Sequence, residues 1–349
     1  MIRRLLTFIL ALGGIAVLAI WLFPRQLSEQ VFTYAMGQIF AGVGQSGETE
    51  QGIQIYLCGT GSPIPDPVRS GPCMGVIAGG RVLVFDPGEG AARKLATMQF
   101  PLARTERIVV THLHSDHIDG LGGILLQAWI GGGRDTPLTV NGPQGIERVV
   151  AGVNEMFAID ATYRTAHHGF RIANPKGYGA IAEPVTLQDD GIVTIFEDDS
   201  LSLRAVEVSH SPAEPAMGVR IDHRGQSVSF SGDTLFDPRF VALSEGVDMM
   251  IHDAMQNRMV KQMADAVQGR PGAEILHKIL TDIPTYHASP EDAARAAAQA
   301  GAGAQVLTHI APPLPTKLLY PAFLGGARAL YSGPITIGED GMILRLELR

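Results

Sequence analysis

The chain has 349 residues, a formal net charge of −8, 46% hydrophobic residues and 18% charged residues. A charged share below the ~25% typical of soluble proteins excludes a disordered chain and predicts a large buried core. The acidic balance disfavours nucleic acid as a partner, because phosphate binding depends on lysine and arginine. Two cysteines are too few for a disulfide scaffold or a thiolate metal cluster.

The N-terminus has the pattern of a membrane anchor. Arg3 and Arg4 precede an uncharged run, Leu5–Phe23. A helix of this length spans ~28 Å, close to the ~30 Å hydrocarbon core. We expect a single-pass anchor in the cell membrane, with a cleaved signal peptide and a buried helix as alternatives. The positive-inside rule then predicts that the following domain lies on the periplasmic side.

Three parts of the chain are predicted: an anchor or signal in residues 1–27, a juxtamembrane helix and linker in residues 28–51, and one large domain in residues 52–349. Apolar residues recur at helical spacing over residues 31–40. This helix either lies on the membrane surface or packs on the large domain. Residues 42–51 are rich in Gly, Ser and Glu, which is typical of a linker.

In the large domain, short strands alternate with helices, which predicts a layered α/β architecture. The predicted strands are Ile53–Cys58, Met74–Ala78, Val82–Phe85, Ile108–Thr111, Leu138–Asn141, Ile192–Phe196, Leu201–Ser209, Ala216–Asp222, Ser227–Ser231, Val247–His252, Gln305–Thr308, Ile335–Ile337 and Met342–Glu347. The predicted helices are Gly88–Met98, Ile118–Ile130, Gln144–Phe157, Ala254–Val267 and Pro290–Ala300.

The strongest chemical signal directly follows a predicted strand. His112, His114, Asp116 and His117 fall within six consecutive residues. On a loop that leaves a strand, His112 and His114 can face one point, and Asp116 and His117 a second point. Imidazole and carboxylate are ligands of zinc, and packing alone does not explain this density of them. The motif therefore predicts two adjacent metal ions.

Three further ligand-type residues stand at the ends of predicted strands: His210, Asp233 and His309. We assign one ion to His112, His114 and His210, and the other to Asp116, His117 and His309. Asp233 is expected to bridge the ions, each carboxylate oxygen serving one of them. Zinc is the expected metal, and Mn²⁺ or Fe²⁺ would tolerate the same ligands.

These motifs resemble the metallo-β-lactamase superfamily, in particular its ribonuclease Z and arylsulfatase-like branch. The resemblance covers about residues 53–345. It implies a four-layer αββα sandwich with a di-metal site at one edge of the two sheets. True β-lactamases of the superfamily commonly carry Cys where Asp233 stands, so that activity is not expected. The further segments that carry the resemblance are Cys58–Ser62, Phe85–Gly90, Gly142–Gly145 and Leu307–His309.

The same resemblance suggests catalytic residues beyond the ligands. His287 is similar to the ribonuclease Z histidine that assists protonation of the leaving group, and Asp253 could orient it or have a plain structural role. Asp116 is assigned as both a ligand and a catalytic group. His167 and His168 fall where a substrate-facing loop is expected, with a structural role as the alternative.

Asp86 and Glu89 are expected to shape the site through hydrogen bonds rather than to ligate metal. Cys58 and Cys73 flank the Gly59–Pro72 loop, and a disulfide between them is a prediction tied to a location outside the cytoplasm.

Two divalent ions and a proton donor predict a metal-dependent hydrolase of ester bonds. The segment Gly169–Asp199 has only Arg171 and Lys176 against six acids, which disfavours tRNA. We expect a small-molecule sulfate or phosphate ester as substrate. Ribonuclease Z-type tRNA processing is the alternative, followed by a lactonase or carboxylic ester hydrolase and by a non-enzymatic metal-binding module. The sequence leaves a homodimer open.

Overall fold

The computed structural model describes residues 20–40, 52–188 and 191–346. The chain divides into two units, Met1–Glu48 and Thr49–Arg349. In the first unit, helix α1 (Pro24–Phe40) contains the apolar repeat that was predicted to be helical. Most of the predicted anchor, Leu5–Phe23, and the predicted linker lie outside the described residues. Within the described ranges, every helix is too short or too polar to span a bilayer.

The second unit contains two seven-stranded sheets. The strands of the first sheet are β1 (Ile53–Gly59), β2 (Cys73–Ala78), β3 (Arg81–Phe85), β4 (Arg107–Val109), β5 (Leu138–Pro143), β6 (Ala180–Val185) and β14 (Met342–Leu346). Their order across the sheet is β14-β1-β2-β3-β4-β5-β6. The pairs β3–β4, β4–β5 and β5–β6 are parallel, and the other pairs are antiparallel.

The strands of the second sheet are β7 (Val193–Glu197), β8 (Ser202–Val208), β9 (Ala216–His223), β10 (Gln226–Phe230), β11 (Met249–Met255), β12 (Ala304–Ala311) and β13 (Ile335–Ile337). Their order is β13-β12-β11-β10-β9-β8-β7. Strands β10 to β13 pair in parallel, while β7 to β10 form an antiparallel meander.

Ten helices of the second unit are described, and their bounds are α2 (Ala91–Thr97), α3 (Ser115–Ile118), α4 (Leu121–Gly132), α5 (Ile146–His168), α6 (Pro238–Leu243), α7 (Asn257–Val267), α8 (Glu274–Asp282), α9 (Pro290–Ala300), α10 (Tyr320–Leu324) and α11 (Ala327–Leu330). Short 3₁₀ turns occupy Leu102–Arg104, Pro175–Gly177, Ile283–Thr285 and Lys317–Leu319.

Three apolar clusters stack these elements into four layers. Between the sheets, side chains such as Ile55 of β1 and Leu203 of β8 belong to one fully buried cluster. A second cluster joins the outer face of the first sheet to α2, α4 and α5. A third joins the outer face of the second sheet to α6, α9, α10 and α11. The expected αββα sandwich is therefore confirmed.

This topology brings several strand ends to one edge of the sandwich. Strand β4 points in the direction of its parallel neighbours, and β10, β11 and β12 run parallel to one another. Strand β8 shares their direction because two antiparallel pairings separate it from β10. Side chains that follow the carboxyl ends of such strands meet at one crevice, the usual place for a ligand in an α/β sheet.

Several parts of the domain differ from the prediction. The helix expected to end at Phe157 continues to His168, because no proline or glycine interrupts Ala158–His168. Strand β6 was not predicted, nor were the helices α6, α8, α10 and α11. Helix α9 begins and ends at the predicted residues.

Candidate metal centre

The motif after β4 turns sharply into the short helix α3. His114 adopts an extended backbone conformation immediately before this helix, and Asp116 and His117 lie in its single turn. The change from extended to helical backbone explains why one short stretch of chain can serve two points in space. His210 follows β8, Asp233 follows β10, and His309 lies within β12 near its end.

The first group of predicted ligands converges around His114. Its Nδ1 atom lies 3.0 Å from His112 Nε2 and 3.2 Å from His210 Nε2. Asp233 Oδ2 lies 3.8 Å from each of those Nε2 atoms. One donor atom from each of the four residues lies within 4.8 Å of every other.

The second group lies on the other side of Asp233. His309 Nε2 is 3.3 Å from Asp116 Oδ2 and 3.2 Å from Asp233 Oδ2, and His117 Nε2 is 3.3 Å from Asp233 Oδ2. The structure thus brings the seven predicted ligands together in the two predicted groups, with Asp233 between them. It is one oxygen of Asp233, Oδ2, that faces histidines of both groups, whereas we expected each oxygen to serve one ion.

In the first group the histidines are in the form that binds metal. Burial, reinforced by the neighbouring His117 ring, lowers the pKa of His112 well below its usual value. Burial also lowers the pKa of His114 and of His210. The three imidazoles are therefore neutral near pH 7, as a metal ligand must be.

In the second group, buried carboxylates attract positive charge. Burial alone would raise the pKa of Asp233, but His309 and His117 hold it well below its usual value, so the carboxylate is ionised. Burial alone would lower the pKa of His117, but Asp233 and Asp86 raise it well above its usual value. His117 Nε2 is buried without a hydrogen-bond partner among the described residues. A divalent cation would satisfy this nitrogen and replace the protons that the carboxylates attract, so these residues fit such an ion.

Asp86 fixes the ring of His117 from behind. It is fully buried, and its Oδ2 lies 2.9 Å from His117 Nδ1. The same carboxylate accepts hydrogen bonds from the backbone N–H and the hydroxyl of Thr111, each at 2.7 Å. A carboxylate on Nδ1 places the proton there and leaves Nε2 free for a metal. This agrees with the expectation that Asp86 shapes the site.

Asp86 and His309 also have strained backbones. Their φ angles are 43° and 48°, in the left-handed region that non-glycine residues rarely adopt. Such a conformation costs about 1–3 kcal/mol and persists only where the surroundings enforce it, as is common at functional sites.

A pair of buried residues, His287 and Asp253, adjoins the ligands. His287 is buried, with its Nδ1 atom 3.1 Å from Asp253 Oδ2, and its ring stacks on His309 at 5.0 Å. His252 Nδ1 lies 2.9 Å from the carbonyl oxygen of Asp253 and 3.0 Å from Oδ1. Although burial opposes ionisation, hydrogen bonds from His252 and His287 lower the pKa of Asp253. The ionised Asp253 therefore accepts a hydrogen bond from the Nδ1–H group of His287.

Four of the predicted residues remain: two histidines in α5 and the two cysteines. His167 and His168 are exposed in the last turn of α5, and within the described residues their ring contact is with each other. Their contact with substrate stays a prediction. Cys58 and Cys73 form a disulfide, and Cys73 lines the same small cavity as His117 and Asp233.

Sequence reasoning missed Tyr286. Its carbonyl oxygen lies 2.9 Å from His210 Nδ1, and its ring contacts the rings of His210 and His287. No spacing marks such a residue, and the available signal was its position directly before His287.

Comparison with known proteins gives a consistent result. The model of the β-lactamase superfamily domain matches residues 81–310. Ribonuclease Z from Mycobacterium avium is 36% identical over 264 residues, which cover 75% of this chain and 87% of the relative. Ribonuclease Z from Mycobacterium bovis is 32% identical over 294 residues, covering 82% of this chain and 96% of the relative.

Solved structures support the fold. The short form of human tRNase Z has a TM-score of 0.59 at 20% identity, covering 84% of this chain and 100% of the other. A diphosphatase from the PhnP family has a TM-score of 0.56 at 18% identity, covering 85% of this chain and 98% of the other. At such identities the likeness concerns the fold alone.

These relatives correct the predicted location. The N-terminal run predicted a membrane-anchored domain on the periplasmic side, and the acidic charge disfavoured nucleic acid as a partner. The curated relatives that match most of the chain are ribonucleases, and a location that separates the site from RNA does not fit them. The periplasmic prediction is therefore wrong.

Proposed function

The chain belongs to the metallo-β-lactamase superfamily and is a metal-dependent hydrolase of ester bonds, and we propose that the bonds it cleaves are RNA phosphodiesters, as in ribonuclease Z. The observation that carries this proposal is the 36% identity to a ribonuclease Z over 87% of that relative's length. The seven converging ligands support it, because all the metal-binding side chains that the chemistry needs are present.

We assign one ion to His112, His114 and His210 and the other to Asp116, His117 and His309, with Asp233 shared between them. Zinc is the proposed metal, because neutral imidazoles and carboxylates suit it. When bound, such ions lower the pKa of water and offset negative charge on the reacting phosphate. Asp86 contacts Nδ1 of His117, which would leave Nε2 available to an ion, and the Tyr286 carbonyl has the same role for His210.

His287 is the proposed general acid. Hydrolysis adds water to phosphorus and breaks one P–O bond, and the departing oxygen then needs a proton. The Asp253 carboxylate accepts the hydrogen bond of His287 Nδ1, which leaves Nε2 to hold the proton that is transferred. Asp253 also stabilises the charged ring before transfer. His252 contacts the other side of Asp253 and limits its movement.

A small-molecule ester stays as the second candidate because of one observation. Within the described part of Gly169–Asp199, β6 and β7 are edge strands of the two sheets, and no separate basic arm is present there. The Glu183 side chain on β6 is half exposed, and it already pairs with Arg107. A small aryl sulfate or phosphate would need no such arm, whereas a long RNA gains affinity from basic residues.

A substrate panel tests the proposal. Metal-loaded protein is offered a precursor tRNA, a 4-nitrophenyl phosphodiester and a 4-nitrophenyl sulfate, with the precursor tRNA also measured across salt concentrations. We expect specific cleavage of the precursor tRNA. Efficient aryl sulfate turnover with an intact precursor would contradict the proposal and favour the second candidate.

Variants test the assigned proton donor. His287→Ala should slow RNA cleavage by about 10²–10⁴-fold, because a ribose oxygen needs protonation as it departs. The same variant should lose much less activity on the 4-nitrophenyl diester, whose leaving group is stable as an anion. His277→Ala on α8 is the matched control, and it should leave both rates unchanged. Equal losses on both substrates would refute the assignment of His287 as general acid.

A further inference from the structure

Tyr286 occupies the space between two groups of the site. It follows the turn Ile283–Thr285 and directly precedes His287. Its ring centroid lies 5.3 Å from that of His210 and 4.8 Å from that of His287. The residue is partly buried, and its ring packs on these histidines.

The hydroxyl of Tyr286 differs from that of a buried tyrosine. Buried tyrosines usually give their hydroxyl a partner, as Tyr331 does by donating to the carbonyl oxygen of Ala302 at 2.7 Å. In the described part of the chain, the Tyr286 hydroxyl makes no hydrogen bond, and it is not among the fully buried polar atoms. The hydrogen bond between this residue and His210 uses the backbone carbonyl, which does not depend on the side chain.

The chemistry of the Tyr286 side chain indicates what it would bind. A flat, neutral aromatic ring suits a planar group by stacking. Because Tyr286 adjoins the proposed general acid, that group belongs to the leaving side of the cleaved bond.

We propose that Tyr286 is a substrate-binding residue that stacks on the nucleobase of the departing nucleoside. This inference rests on the proposed function, since it assumes a phosphodiester with a nucleoside as leaving group. Base–aromatic stacking contributes about 1–3 kcal/mol per base. Tyr286→Ala should therefore raise KM by about 5- to 150-fold, whereas Tyr286→Phe, which keeps the ring, should resemble the wild type.

The test uses two short RNAs that differ at one position. One carries a normal base on the nucleotide whose oxygen departs, and the other is abasic there. In the wild type the abasic RNA should have the higher KM. Tyr286→Ala should remove this difference, because a missing ring and a missing base report the same contact. Tyr163→Ala, a change at an exposed tyrosine of α5, is the matched control and should preserve the difference.

A binding measurement separates stacking from a structural role. A non-hydrolysable RNA with 2-aminopurine at the same position should lose fluorescence on binding the wild type and Tyr286→Phe, but not on binding Tyr286→Ala. Metal content is measured in parallel and should be equal in all three proteins. If Tyr286→Ala lowers kcat equally on both RNAs, or loses metal, the inference is wrong and the residue only supports the histidines. If the wild type cleaves neither RNA nor a precursor tRNA, the proposed function fails first.

Discussion

The carboxylate behind His117 offers a sharp test of how the protein holds its metal. Asp86 accepts three buried hydrogen bonds, two from Thr111 and one from His117 Nδ1. In Asp86→Asn, the amide oxygen can keep the bond from the Thr111 N–H, and the Thr111 hydroxyl can reverse its role. The amide N–H group, however, would then face His117 Nδ1. That favours the tautomer with its proton on Nε2, the nitrogen that should bind metal.

The magnitudes follow from these contacts. One hydrogen bond to an ionised group is lost, which lowers the free energy of unfolding by about 1.5–3 kcal/mol. Loss of the partner that orients a ligating histidine lowers metal affinity by about 10–100-fold. Asp340→Asn is the matched control, because Asp340 also accepts three hydrogen bonds, from Thr60 and Ser70, and none from a predicted ligand. It should lower stability without changing metal affinity.

Competition with a chromophoric chelator measures the affinity of each ion, and urea denaturation of the metal-free proteins measures stability. We expect Asp86→Asn to weaken one of two ions and to leave the other close to the wild type. Equal metal affinity in Asp86→Asn and Asp340→Asn would refute the role given to Asp86.

Three further predictions concern stability. Although burial opposes it, Arg239 lowers the pKa of Asp237 in the folded protein. The ionised carboxylate therefore stabilises the fold above ~pH 4, and this contribution is lost as the pH falls towards the lower folded pKa. In urea denaturation, Asp237→Asn should be less stable than the wild type at pH 7, and the difference should shrink at lower pH. The disulfide Cys58–Cys73 closes a loop with a sequence separation of 15, and reducing it should lower the free energy of unfolding by about 3 kcal/mol. The same reducing agent should leave the stability of a Cys58→Ser/Cys73→Ser double variant unchanged. Ser289→Ala removes the capping box of α9 and should cost about 1 kcal/mol in thermal unfolding, and an unchanged Tm would contradict the cap.

Much of the site was predictable because its ligands form a local pattern. His112, His114, Asp116 and His117 are contiguous and follow an apolar strand, so residue type and spacing identify them without knowledge of the fold. His210, Asp233 and His309 were recognisable at strand ends. The pairing of those strands brings them together, and that pairing depends on contacts that are far apart in sequence.

Other features had no such signal. Strand β6 lies at a sheet edge and contains Glu183 and Pro184, so its sequence lacks the apolar run of a buried strand. Helix α8 begins two residues after Pro271–Gly272, and its three exposed apolar residues mask the core-facing pattern. The location was inferred from an N-terminal run that precedes residues 81–310, the part of the chain that the superfamily domain matches. Net charge is a weak guide to the substrate, because it averages over the whole surface and says little about one crevice.

The central claim is a two-ion site bridged by Asp233. Elemental analysis of the purified protein, after dialysis against metal-free buffer, measures the ratio of metal to chain most directly. The account predicts about two ions per chain in the wild type and a large loss in Asp233→Ala, because the Oδ2 atom of Asp233 faces both groups of ligands. A fully active preparation with at most one ion per chain, or full metal content in Asp233→Ala, would contradict it.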